Sequence, residues 1–175
     1  MEDLHFLARH GALEVRLGAS AEEVRAAAQL RHDVFSTEMG LVADSSGVEM
    51  DRFDPLCDHI IVRDLDVIGA DGQPPVVGTY RALRPEATTI GFYSEAEFDL
   101  APLFARHPTV RFCEVGRSCV APSHRSQRTL EALWRGLFVY AARHGIEAYF
   151  GAASFPGTDP HVHANALSWL YHNAA

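Results

Sequence analysis

Glu114 and Arg117 bracket Gly116, Asp51 and Asp54 stand three apart in a polar stretch, Arg81 follows Gly78-Thr79, and Arg31 lies four before Phe35. Carboxylates so placed can accept a proton or hold a cation, and guanidinium groups can hold a carboxylate or a phosphate. Each residue also has a plain structural use. Arg31 and Phe35 can pack a helix, Asp51 and Asp54 can form turns, Arg81 can sit on a strand surface, and Glu114 with Arg117 can be an ion pair. In a regular strand Glu114 and Arg117 point to opposite faces. One bulged residue near Gly116 would turn them to the same side.

The elements that must position these residues follow from spacing. Leu13–Leu17 alternates apolar and polar, as a half-buried strand does. Ser20-Ala21-Glu22-Glu23 is a capping box that opens a helix, with Val24, Ala27, Ala28, Leu30, Val34 and Phe35 on its apolar side and Gly40 as its stop. Residues 41–55, with Asp44, Asp51 and Asp54, have no clean period and read as a long loop of the kind that often carries function. His59–Val62 and Val76–Leu83 read as two strands joined through Gly69, Asp71-Gly72 and Pro74-Pro75. Residues 85–109 are mixed, with a short helix entered at Ser94 or Asp99. Val110–Val120 is a strand ending before Pro122. Ser126–His144 is the clearest helix, its apolar stripe of Leu130, Leu133, Trp134, Leu137, Phe138 and Ala141 assigned to the core, with Gly145 closing it. Ile146–Ala153 reads as a strand, and Asp159-Pro160 as cap and first position of a last helix through Leu170. The order β-α-β-β-(α)-β-α-β-α is that of an α/β or α+β layer fold with no linker dividing it, so the 175 residues read as one domain.

Composition narrows the chemistry. The net charge of −8 argues against nucleic acid as the main partner. All 15 basic residues are Arg, which excludes a Schiff-base lysine, a P-loop lysine and a Ser-Lys dyad. Gly116–Val120 starts like a nucleophile elbow but lacks the closing glycine, and neither a G-x-G-x-x-G nor a Walker loop occurs. His161 and His163, two apart on a helix, are poor co-ligands for a metal. Cys57, Cys113 and Cys119 are odd in number and form no C-x-x-C, which argues against a disulfide framework or a zinc ribbon. No apolar run approaches the roughly 20 residues of a membrane span, and the acidic start is not a secretory signal, so a cytoplasmic protein is expected.

The set Arg31-x3-Phe35, Asp51-x2-Asp54, Gly78-x2-Arg81 and Glu114-x2-Arg117 resembles the acyl-homoserine-lactone synthases, which have the GCN5-related N-acetyltransferase (GNAT) fold and take acyl groups from acyl carrier protein. The surrounding words are closer to a sister group, the ornithine–acyl carrier protein N-acyltransferases of ornithine-lipid biosynthesis. Those words are Leu30–Phe35, Glu114–Val120, Leu133–Leu137 and Ser154–Pro160. The resemblance covers roughly residues 10–170.

The resemblance implies a mixed sheet flanked by helices and transfer of a (3-hydroxy)fatty acyl group from acyl carrier protein to the α-amine of ornithine, giving lyso-ornithine lipid. It implies Glu114, Gly116 and Arg117 as catalytic residues, with Glu114 as the base that takes the amine proton. Arg31, Phe35, Asp51, Asp54 and Arg81 are implied at the acceptor, and Val120, Arg125, Arg128 and Arg135 at the donor. Donors of this kind carry phosphopantetheine on the acyl carrier protein, with acyl-CoA as a substitute, and no metal or bound cofactor is implied. A lyso-lipid product implies peripheral contact with the inner membrane face. Two departures stand out. The turn Pro122–Leu130 lacks the glycines with which ordinary acetyltransferases cradle the coenzyme A pyrophosphate, which points toward a carrier-protein donor. The fold also continues with a closing hairpin after its fourth helix, where this sequence reaches Ala175, so a domain truncated before those strands, or one with them replaced, is expected. A homoserine-lactone synthase, which usually has an aromatic residue near Leu41, and a non-catalytic acyl or carrier-protein binding module remain as alternatives.

Overall fold

The computed structural model describes residues 3–39, 47–155 and 157–173. Gly40, Leu41, Asp44, Pro156 and Ala175, named above, lie outside them. Six strands form one sheet in chain order: β1 (Phe6–His10), β2 (Leu13–Leu17), β3 (Asp58–Asp64), β4 (Val76–Leu83), β5 (Phe112–Val120) and β6 (Ala148–Phe150). Neighbours are antiparallel up to β5, and β5 and β6 are parallel. Helix α1 (Ala21–Met39) follows β2, α2 (Ala101–Arg106) precedes β5, α3 (Gln127–His144) crosses over from β5 to β6, and α4 (Ala164–Asn173) comes last.

The period-2 pattern of the strands sorts their side chains onto two faces, each with its own helix. Val15, Ile60, Val62 and Cys113, all without exposed surface, meet Leu133, Leu137 and Tyr140 of α3. On the other face α1 packs against β3, β4 and β5, with Val34 and Phe35 against Cys119. The α1 cap forms as its sequence demands. Ser20 Oγ accepts from the Glu23 N–H at 3.2 Å, while the Glu23 carboxylate reaches back to the N–H of Ala19, 2.7 Å away and one residue before the cap. Ser126 caps α3 by accepting from the Thr129 N–H, and Gly145 ends it at φ 63°, a left-handed conformation suited to glycine.

Three expectations are corrected. β1 was not foreseen, because its burial alternates around a single large apolar side chain, Leu7, while Phe6 stays exposed. It forms because the Gly11 turn folds it onto β2. The last strand is three residues, Ala148–Phe150, and not Ile146–Ala153, since its pairing with β5 stops at Glu114↔Phe150. The α3 stripe divides in two. Leu133 and Leu137 are buried, but Leu130, Trp134 and Phe138 are 52%, 56% and 75% exposed. These three form an i, i+4, i+8 row that the helix turns away from the sheet. The sheet instead meets small residues, Ala132 and Gly136, between the buried leucines. In the mixed stretch both helix starts occur: a 3₁₀ turn over Tyr93–Ala96, then α2 with Asp99 accepting from the Ala101 N–H. No helix among the described residues is long and apolar enough to cross a membrane.

Gly136 sets how closely α3 approaches the sheet. A Cβ there would stand 2.4 Å from Val15 Cγ1, well inside van der Waals contact. Alanine would set overpacking of about 1–3 kcal/mol against a helix-propensity gain of about 1 kcal/mol. Valine adds bulk without that gain. Gly136→Val is expected to destabilise the fold by about 3 kcal/mol, read as a lower urea midpoint at unchanged slope. An unchanged midpoint would mean that α3 can move outward freely.

Candidate active site

The register between β4 and β5 holds one irregularity. Arg81 is opposite Gly116 and Thr79 opposite Cys119, so Arg117 and Ser118 together face Tyr80. This is a one-residue bulge in β5. Arg117 takes φ 50°, the sole positive value at a non-glycine residue among those described. Such a conformation costs on the order of 1 kcal/mol and has to be held by its surroundings. Its effect is the one expected from the sequence: Glu114, Gly116 and Arg117 line one small cavity of about 70 Å³, with Arg81, Cys57 and Tyr93.

What holds Arg117 is a closed ring of alternating charge. Asp54 Oδ1 accepts from Arg31 Nη2 at 2.6 Å, and Arg31 Nε stands 2.8 Å from Glu49 Oε2. Glu49 Oε1 is 3.0 Å from Arg117 Nε, and Arg117 Nη2 is 3.6 Å from Asp51 Oδ2. Arg81 Nη1 closes the ring, donating to Asp51 Oδ1 at 2.8 Å and to Asp54 Oδ2 at 2.9 Å. The ring joins α1, the 49–54 segment, β4 and β5. Arg31 and Asp54 have fully buried side chains, whereas Arg117 and Asp51 are partly open. The Arg117 guanidinium also lies 4.9 Å over the Tyr93 ring.

Two pKa shifts follow from this packing. Burial alone would raise the Asp51 carboxyl, but Arg81, the Phe53 N–H and Arg117 outweigh it, so it lies below its ordinary 3.8. Burial holds His59 below its ordinary 6.5, more than offsetting Asp54. His59 Nε2 is 3.0 Å from the Asp54 carbonyl, which can only accept, so Nε2 carries the hydrogen and steadies the 51–54 turn.

Glu114 is 5% exposed and its carboxylate is fully engaged. Oε1 accepts from Ser94 N at 2.7 Å and Ser94 Oγ at 2.5 Å, and Oε2 accepts from Tyr93 N at 2.7 Å. It thereby fixes the 3₁₀ turn whose Tyr93 forms a cavity wall. Among the described residues, the edge of β5 that faces β6 has no ladder partner beyond Glu114, which leaves its backbone groups open beside the cavity. There the chain after β6 approaches closely. A Cβ at Gly151 would stand 2.2 Å from the Val115 carbonyl oxygen, so only glycine fits. The thiols of Cys57, Cys113 and Cys119 are pushed up to about 12 by burial, which keeps all three as un-ionised thiols at neutral pH.

A second opening of about 510 Å³ lies further along β5, between α1 and the start of α3, lined by Phe35, Glu38, Val120, Arg125, Ser126 and Leu130 among others. Arg125 forms an ion pair with Glu38, and its Nε donates to the Val120 carbonyl at 3.2 Å. The structure thus redistributes the expected sets. Arg81, Glu114, Gly116 and Arg117 line the cavity, and Asp51 reaches it through Arg117. Arg31 and Asp54 support it from within and have no surface to offer a ligand. Phe35 belongs to the groove with Val120 and Arg125. Arg128 and Arg135 line neither opening; they lie on the exposed side of α3, with Arg128 Nη1 directed toward the β1–β2 turn at Gly11. Sequence reasoning missed Glu49, Tyr93, Ser94 and Glu38. Of these only Glu49 carried a signal, as a third acid beside Asp51 and Asp54.

Residues 30–135 match the family model described as an acetyltransferase (GNAT) domain. The chain is 48% identical over 173 residues to the L-ornithine N(alpha)-acyltransferase of Rhizobium meliloti (strain 1021), covering 95% of this chain and 58% of that protein. Proteins of the same name from Agrobacterium fabrum and Brucella abortus are 46% and 45% identical over 94% and 98% of this chain. The chain spans 58% and 63% of their lengths. Among solved structures it is similar to the AHL synthase LasI, with TM-score 0.54 at 19% identity, covering 79% of this chain and 71% of that one. It is also similar to FeeM, an N-acyl amino acid synthase from uncultured soil microbes, with TM-score 0.59 at 15% identity over 90% and 77% of the two chains. At these identities the likeness is one of fold.

Asp54→Asn is expected to destabilise the fold by about 3 kcal/mol, because it takes from two buried arginines the acid they share and leaves Glu49 alone on Arg31 and Asp51 alone on Arg81. Calorimetric or urea unfolding measures this, and a loss below about 1 kcal/mol would show that the ring re-forms without Asp54. Around the ring, two depressed groups set the sign of the pH dependence. His59 contributes stability that is complete above 6.5 and declines as pH falls through its folded value. The Asp51 contribution is complete above 3.8 and is lost at still lower pH. Asp51→Asn should therefore flatten the lower acid limb of the stability curve and leave the upper one in place.

Proposed function

Because the chain belongs to the GNAT acetyltransferase family, we propose that it carries the acyl-transfer site of an N-acyltransferase. That enzyme moves a (3-hydroxy)fatty acyl group from acyl carrier protein to the α-amine of ornithine, giving lyso-ornithine lipid. The observation that carries this reading is the bulge at Gly116–Ser118. It brings a carboxylate and a guanidinium to one cavity beside an unpaired strand edge, and a groove lies further along the same strand. The names of the relatives support the acceptor.

The amine that attacks is cationic at neutral pH and must first lose a proton. Glu114, directly or through one water, is the acceptor in the cavity. The free amine then adds to the thioester carbonyl. Backbone N–H groups on the open edge of β5 stabilise the oxyanion. Collapse breaks the C–S bond, and the proton still on the attacking nitrogen passes to the departing pantetheine sulfur. The chain forms no covalent acyl intermediate, in keeping with three thiols that stay protonated. For the acceptor, the 3.6 Å link between Arg117 and Asp51 is the longest and most exposed in the ring. An amino acid with a cationic side chain fits there by exchange, its carboxylate on Arg117 and its side-chain ammonium on Asp51.

On the donor side, Arg125 is placed for the phosphate of phosphopantetheine, with acyl-CoA as a substitute donor. Arg128 and Arg135, on the exposed side of α3, are placed for the acidic surface of a carrier protein. A lyso-lipid product implies release at a membrane surface.

Glu114→Gln tests the base. The amide keeps one acceptor but turns an NH2 group toward Tyr93 or Ser94, so a stability loss of about 1–3 kcal/mol is expected. Turnover of the folded variant should fall by about 100-fold or more at every pH. If the folded variant keeps the wild-type kcat from about pH 6 to 9, Glu114 only braces the Tyr93 turn.

A further inference from the structure

The groove between α1 and α3 carries a charge that the acyl-transfer chemistry does not use. Among the described residues that line it, Arg125 is the one cation and Glu38 the one anion, and they are paired with each other. Both lie at the surface, with side chains 46% and 40% exposed, so the pair contributes little to folding. Its position matters more than its strength. Arg125 projects from the turn that enters α3, where a phosphate would sit, and Glu38 faces it from the last turn of α1. Part of the helix N-terminus is already taken, since Ser126 Oγ holds the Thr129 N–H. Thr129 Oγ1 in turn donates to the His124 carbonyl at 2.6 Å and closes the turn.

We propose that Glu38 is a specificity residue that discriminates against coenzyme A and in favour of a phosphopantetheine arm on a carrier protein. The inference rests on the donor reading given above. A single phosphodiester can replace the Glu38 carboxylate on Arg125, one negative charge exchanged for another. Coenzyme A brings a pyrophosphate and a ribose phosphate into the same groove, where no second cation waits and the displaced carboxylate still stands opposite. Like charges held a few ångströms apart near a surface repel enough to shift affinity by about tenfold, and salt weakens the effect. The groove therefore disfavours coenzyme A by repulsion as well as by lacking a glycine cradle.

Calorimetric titration with coenzyme A and with the methyl ester of 4′-phosphopantetheine, a phosphodiester like the arm on a carrier protein, tests this without turnover, using wild type, Glu38→Gln and the remote control Glu97→Gln. Arg125→Gln serves as a check on the donor site. Glu38→Gln should tighten coenzyme A by about tenfold and phosphopantetheine by about twofold or less. Raising the ionic strength should narrow the wild-type preference, and Glu97→Gln should leave it unchanged. The ratio of rates with acyl-CoA and acyl carrier protein should shift in the same sense. Equal effects of Glu38→Gln on both ligands, or equal effects of Glu38→Gln and Glu97→Gln, overturn the role of Glu38 and leave the donor reading standing. If wild type binds neither ligand, or if Arg125→Gln binds phosphopantetheine as wild type does, the donor reading fails and takes this inference with it.

Discussion

A carboxylate with no exposed surface, Asp54, lies between two arginines that flank it in the sequence: Arg31 on α1 and Arg81 on β4. Through Glu49, Arg117 and Asp51 this contact closes into a ring of three acids and three arginines. Its net charge is zero; its arginines lie far apart in the chain, while its acids share one short segment. Measured against an apolar replacement, such a buried ionic set adds little stability, because desolvation offsets most of the attraction. What it contributes is position. Each guanidinium accepts only a few directions of approach, so the ring specifies where α1, the 49–54 segment, β4 and β5 stand relative to one another.

The bulge in β5 and the ring depend on each other. Without the extra residue, Arg117 would point to the opposite face from Glu114 and the ring would stay open. Without Glu49, Asp51 and Tyr93 to receive the guanidinium, the left-handed backbone at Arg117 would have nothing to offset its cost. The same bulge coincides with the place where β6 stops pairing with β5. A strand that is bent and unpaired at one point offers both side chains and free backbone donors there, and that combination makes the cavity suited to an oxyanion.

The two openings along β5 differ in a way that fits their proposed uses. The cavity is small, ringed by fixed charges and braced by Glu114 on the Tyr93 turn. The groove is several times larger, apolar along Val34, Phe35 and Leu130, and guarded by a single ion pair. Leu130 continues from the groove into the exposed row with Trp134 and Phe138 on α3.

The sequence by itself determined most of the elements and singled out Arg81, Glu114, Gly116 and Arg117 of the cavity lining. The capping box at Ser20, the alternation in β2, the apolar runs of β3 and β4 and the Ser126-to-Gly145 frame of α3 are local signals, each decided by neighbours within a few residues. The need for a bulge at Gly116 was also legible, because strand geometry allows Glu114 and Arg117 to share a face in no other way. Three things were left to the tertiary structure. Asp54 became a buried brace, and its near neighbour Asp51 the partly open acid, because Arg31 and Arg81 converge on one of them, which spacing cannot reveal. On α3, both Leu133-Leu137 and Leu130-Trp134-Phe138 satisfy helical periodicity; the closeness permitted by Gly136 at Val15 chose the first for the core. Glu38 met Arg125 only because α1 and the turn into α3 pack on the same end of β5, an encounter between residues 87 positions apart.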